Sequence, residues 1–203
     1  MILTWQTNRP IPEPFLIQVP NFTWEAFLEF ATEDISCELI GGNLIVHSPA
    51  SLEYEQIFQW LLLFFNRYLK KIGKGIVLGS RFVMKLSPTW APEPDLMIIL
   101  SDLSTRLKEN CLDGPADLVI EILSPATREL DLNKKLPQYI HFGVKEVWIV
   151  DPEEKEIQIH TQSSSASLEE GTEVVSKVFP DLHFETRWIW RRNQFDPVNM
   201  ALS

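Results

Sequence analysis

Three side chains in the middle of this sequence could do chemistry together: Asp95, Glu121 and Lys135. Asp95 opens the apolar run Leu96-Met97-Ile98-Ile99-Leu100. Glu121 lies inside a second run, Asp117-Leu118-Val119-Ile120-Glu121-Ile122-Leu123. Each run is short, rich in β-formers and bounded by turn residues, Pro92 and Pro94 before the first and Gly114-Pro115 before the second. That is the pattern of a buried strand. A carboxylate buried in such a strand is costly unless a partner offsets it. Two acids on neighbouring strands would also repel each other. A divalent cation between them is the simplest remedy, because hard cations such as Mg²⁺ take carboxylate oxygens.

The elements that must position these groups follow from the pattern around them. After Glu121 comes Ser124-Pro125 and then an amphipathic helix with Leu132, Leu136, Tyr139 and Ile140 at helical spacing. Asp131 and Lys135 lie four residues apart, so they share a face and can pair; Asp131 would orient Lys135, and Tyr139, one turn on, would line the same pocket. Pro137 inside this pattern predicts a kink. Gly143 is the expected stop, and residues 144–152 read as the next strand.

With these residues in view, the order Pro94-Asp95, Glu121 and a nearby lysine resembles the metal-dependent PD-(D/E)XK nuclease superfamily. The stretch PEPDLMIIL followed by ADLVIEILSPATRELDLNKKLPQYIHFGVKEVWIVDPEEKEIQIH is similar to a large bacterial family of restriction endonuclease-like proteins of uncharacterised function. The similarity runs over about residues 24–160 and is most specific over residues 117–152. The resemblance implies an α/β (α+β) restriction endonuclease-like core: a mixed central β-sheet flanked by helices, with an N-terminal hairpin. It implies Mg²⁺ or Mn²⁺ held by Asp95, Glu121 and the backbone carbonyl of Ile122, with Lys135 as the third catalytic group. The implied reaction is phosphodiester hydrolysis in DNA. The superfamily's lysine stands two residues after the Glu, which is Leu123 here. The closer family carries it on the following helix, where Lys135 falls, and Lys134 points about 100° away. Some members of the superfamily take an extra metal ligand from the preceding helix. Glu53 and Glu55 are the candidates here, although acids in a helix's first turn also suit the macrodipole. Tyr54 occupies a place where the closer family often has His.

The bulk composition bounds these readings. The chain has 203 residues, 45% apolar and 23% charged, enough for one domain with a core. Its net charge of −10 argues against strong non-specific DNA binding, which rests on Lys and Arg. It leaves room for a nuclease, whose metal ions supply positive charge. Arg67, Lys70, Lys71 and Lys74 form one local basic run, and Arg187, Arg191 and Arg192 another. The two cysteines, Cys37 and Cys111, show no CxxC spacing and read as reduced thiols of a cytoplasmic protein. The four histidines show no ligand spacing. No basic-then-apolar leader opens the sequence. The longest apolar run, residues 60–65, is far short of the roughly 20 residues that span a bilayer.

Taken in order, residues 1–21 are proline-rich and predict an extended arm, and residues 22–203 a single domain. Thr23 caps a short helix over residues 24–31 with Trp24, Leu28 and Ala31 inward. Residues 37–40, Gly41-Gly42 and residues 43–47 predict a β-hairpin. A long helix follows over residues 51–72. Residues 75–78 and 81–86 predict two strands in a meander leading to Asp95. Residues 101–113 read as a polar connection, residues 156–160 as an edge strand, and residues 163–167 as a serine-rich turn. Residues 172–178 read as one more strand. Trp188 and Trp190 belong to either a last strand or a dimer contact. The leading expectation is a homodimeric Mg²⁺-dependent DNA endonuclease. The alternative is a catalytically inactive interaction protein that keeps the nuclease fold, and a third reading places the same chemistry on RNA.

Overall fold

The computed structural model describes residues 15–31, 37–79, 82–100 and 103–202. In chain order the first half comprises β1 (Leu16–Pro20), α1 (Trp24–Phe30), β2 (Cys37–Ile40), β3 (Asn43–His47), α2 (Leu52–Ile72), β4 (Ile76–Gly79), β5 (Val83–Lys85), β6 (Trp90–Ala91) and β7 (Leu96–Ile99). Then come α3 (Leu103–Arg106), β8 (Cys111–Asp113), β9 (Leu118–Ile122) and α4 (Arg128–Leu130), a π-helical turn (Asp131–Lys135), and α5 (Leu136–His141). The chain continues through β10 (Glu146–Asp151), β11 (Glu156–His160), β12 (Ser165–Leu168), α6 (Arg187–Trp190) and α7 (Pro197–Met200).

The core is a mixed six-stranded sheet in the order β12-β11-β10-β9-β7-β4. Only β9 and β10 pair in parallel, because the α4–α5 helix carries the chain back between them. The side chains of β7 and β9 alternate between two buried layers. Leu96, Ile98, Leu118 and Ile120 pack against Ile57, Leu61, Phe64 and Phe65 of α2. Met97, Ile99 and Val119 pack on the other face with Tyr139 of α5. The antiparallel register sets Leu96 opposite Ile120, so one step further Asp95 stands opposite Glu121.

A second sheet, β1-β3-β2-β6, stands beside the first. Its hairpin turns on Gly41 and Gly42, both at positive φ as a tight two-residue turn demands. Residues 16–20 of the proline-rich segment pair with β3 along its whole length, and residues 1–14 of the expected arm lie outside the described residues.

Several expectations need correction. In α1 the buried residue is Phe27, while Leu28 is exposed. The meander is interrupted: β4 pairs with β7, but β5 leaves to pair in parallel with β8, inside the segment read as polar connection. Position 81 of the expected second strand, and positions 101 and 102 of that connection, lie outside the described residues. Strand β11 is internal, since the serine-rich segment forms β12 on its outer side. Residues 172–178 make one isolated bridge, Glu173 to Glu185, and no strand. The aromatic tail is two short helices folded onto α2. Trp188 is buried beside Phe64, and the Trp60 indole donates to the Phe195 carbonyl at 2.9 Å. Pro137 is accommodated by the widened turn just before it, where the Leu136 N–H reaches the Asp131 carbonyl, so the helix continues through the proline. No helix among the described residues is long and apolar enough to cross a membrane.

Candidate active site

Four elements converge at one end of the two central strands. Asp95 enters from the loop before β7, Glu121 from β9, Lys135 from the π turn, and Glu38 from β2 of the second sheet. The Lys135 ammonium lies 2.8 Å from Glu121 Oε1, 3.1 Å from Asp131 Oδ1 and 3.2 Å from Glu38 Oε2. All four of these residues are buried. Leu123, at the usual lysine position, is packed into the core layer under α5, and the cation reaches Glu121 from the facing helix instead. Lys134 is exposed, as the helical offset predicts.

The two acids are joined to each other and pinned by phenols. The Asp95 N–H donates to Glu121 Oε2 at 3.2 Å, and the Ile122 N–H donates to Asp95 Oδ2 at 2.6 Å. The Tyr139 hydroxyl donates to Glu121 Oε1 at 2.5 Å, and the Tyr54 hydroxyl donates to Asp95 Oδ1. Tyr54 comes from the first turn of α2, which Ser51 caps.

Four carboxylates around one ammonium leave an excess of negative charge. Burial, opposed by Lys135 and by the Tyr54 and Ile122 hydrogen bonds, raises the Asp95 pKa to about 6. Burial, with Lys135 opposing it and Asp95 adding to it, pushes Glu121 well above the usual carboxylate range. Burial also works against the charge on Lys135, but Asp131, Glu121 and Glu38 outweigh it and hold its pKa well above that of a free lysine.

The site opens onto a cleft of about 740 Å³. Its walls include Asp95, Glu121, Lys135, Tyr54, Ser124 and Arg128. Glu53 lies on the rim, 3.8 Å from Arg192, whereas Glu55 is exposed and is not among the lining residues. The expected acids and lysine are therefore brought together, with Asp131 and Tyr139 beside them. Glu38 and Tyr54 are members that the sequence reading did not single out as site residues. The signal for Glu38 was present: an acid in the fully buried strand Cys37-Glu38-Leu39-Ile40 demands a partner.

The donor chemistry suits a hard cation. Both Asp95 oxygens and Glu121 Oε2 each accept one hydrogen bond, which leaves a lone pair on each. Among the described residues, no group of three or more His, Cys, Asp or Glu is arranged to hold a metal ion. Two carboxylates are nonetheless what Mg²⁺ commonly takes from a protein, since it keeps several of its waters.

Comparison with known proteins bears on the family and the fold. The family described as Uma2, "Putative restriction endonuclease", matches residues 24–187. Among solved structures, the chain superposes on "a putative nuclease belonging to DUF820" from Anabaena variabilis with a TM-score of 0.71 at 18% identity. The match covers 89% of this chain and 99% of that one. No curated protein matches the chain.

Proposed function

This chain belongs to the Uma2 family of restriction endonuclease-like proteins, and from that premise we propose that it is a nuclease that hydrolyses phosphodiester bonds in DNA with Mg²⁺ or Mn²⁺. The observation that carries the reading is the joined pair of strand-end acids, Asp95 and Glu121, at the floor of an open cleft. Asp95, Glu121 and the Ile122 carbonyl would hold the cation. Such a cation, when bound, lowers the pKa of a coordinated water and offsets charge on the phosphate.

The remaining work falls to this chain's own groups. Lys135 offsets part of the negative charge of Glu121, Glu38 and Asp131 and holds them in place. Tyr139 fixes Oε1 of Glu121, and Tyr54 fixes Asp95, so both carboxylates keep one orientation before substrate arrives. A homodimer belongs to the same reading, because cutting both strands of a duplex calls for two sites. The aromatic tail is consumed by the core, so its contact would use other apolar surface such as Leu63 of α2, which is exposed.

Titration with Mn²⁺ tests the cation site. Wild type should bind it, and Asp95→Ala should not. Plasmid cleavage in Mg²⁺ should then be lost in Glu121→Ala and Lys135→Ala. Wild type and variants that are equally inert, with no Mn²⁺ bound, would favour the second reading, a nuclease-fold interaction protein. The feature that speaks for that reading is the enclosure of Lys135 by carboxylates.

A further inference from the structure

The Lys135 ammonium has three N–H groups and three carboxylate oxygens within 3.2 Å, and its side chain is 5% exposed. No donor is left for a phosphate. Among the described residues the cleft lining holds eight Asp or Glu against one Lys and one Arg, Lys135 and Arg128, with His47 beside them, so a nucleic acid entering it meets repulsion except near Arg128 or a bound cation.

Arg128 is built for that contact. Its side chain is 37% exposed on the cleft wall, and its Nη2 donates to Asp151 Oδ2 at 2.6 Å. Asp151 is buried, and its other oxygen accepts the N–H groups of Glu153 and Glu154 at 3.1 and 3.3 Å. The guanidinium therefore hangs from a fixed point. Its other N–H donors have no partner among the described residues. Arg128 balances the buried Asp151 carboxylate with one edge, and its open edge matches phosphate oxygens in shape and charge.

Resting on the nuclease reading above, we propose that Arg128 binds a backbone phosphate of the nucleic acid, oriented for it by Asp151. Arg128 stands seven positions before Lys135 and lines the same cleft as Asp95 and Glu121.

The test is binding of a short fluorescein-labelled DNA duplex, followed by anisotropy over a range of KCl with Ca²⁺ in place of Mg²⁺. Arg128→Gln should weaken binding about tenfold at low salt and reduce the slope of log K against log salt by about 1. Arg128→Lys should keep the slope and recover part of the affinity. Equal slopes for wild type and Arg128→Gln overturn the assignment and leave Arg128 as a counter-ion for Asp151. If Arg128→Gln does not fold, Arg128→Gln with Asp151→Asn removes the stranded carboxylate and is read in the same way. Mn²⁺ binding on the same samples keeps the two readings apart. Wild type that binds Mn²⁺ but shows equal slopes overturns the Arg128 role alone. Wild type that binds no Mn²⁺ overturns the cation site, while the slopes still decide on Arg128. Wild type that binds no DNA at any salt overturns both.

Discussion

The Lys135 ammonium sits 2.8 Å from Glu121 Oε1, with both side chains nearly sealed from solvent. A buried pair of this kind cannot lose one member without stranding the charge of the other. Here the loss of the lysine strands three acids at once, since Glu38 and Asp131 share it.

Lys135→Met should therefore destabilise the fold by about 3–5 kcal/mol, read from the urea midpoint. Adding Glu38→Gln to that variant should recover part of the loss. A cost below about 1 kcal/mol would show that the acids are held by shared protons and that the lysine is dispensable to the fold.

Tyr54→Phe should act on cation binding through Asp95. The tyrosine hydrogen bond favours the ionised form of Asp95 and works against the larger effect of burial. Without it, the Asp95 pKa rises above about 6. Mn²⁺ affinity should then fall several-fold near pH 6 and approach wild type near pH 8. Equal loss at both values would mean that the phenol holds geometry and has no influence on the proton.

Stability should fall with rising pH across the window that Asp95 sets. Its pKa is about 6 in the fold against an ordinary value of 3.8, so the folded state binds more protons between those values. The favourable contribution is fully present below pH 3.8 and is lost as the pH passes 6. Glu121 shifts in the same direction. Asp95→Asn carries no charge, so its melting temperature should gain on wild type between pH 4 and pH 7. Saturating Mn²⁺ should narrow the gap by stabilising wild type alone.

Gly79 faces the Phe58 ring and the carbonyl of Asp95. A Cβ there would stand 2.7 Å from the ring edge and 3.1 Å from that carbonyl. Gly79→Ala should cost about 1–3 kcal/mol in thermal unfolding. It should also weaken Mn²⁺ binding, because relief of the clash displaces the backbone that presents Asp95. Unchanged Mn²⁺ affinity would show that the Phe58 ring absorbs the whole displacement.

Local signals carried much of this structure. The hairpin turn, the Thr23 cap and the two acid-bearing strands were legible, because each depends on neighbours within a few residues. Lys135 could be placed because helical spacing fixes which residue faces Asp131. The parts that eluded the sequence are long-range. Nothing local shows that β5 would pair with β8, or that Glu38 from a separate sheet would reach a lysine far along the chain. Trp188 and Trp190 read as either a last strand or a dimer contact, because alternation over so short a run also fits half of a helical face; packing on α2 decided for helix. The proline signal was real, but the sequence gives no hint that a π turn would absorb it.

The packing of the tail on α2 has a consequence for how the protein is made. Phe184 and Trp188 close the layer around Phe64, and Trp60 waits for the Phe195 carbonyl. During synthesis the part of α2 around Trp60 and Phe64 stays incompletely covered until residue 195 has left the ribosome. A premature stop or a proteolytic nick near that point would loosen α2, which carries Tyr54 to a cleft that none of those side chains lines.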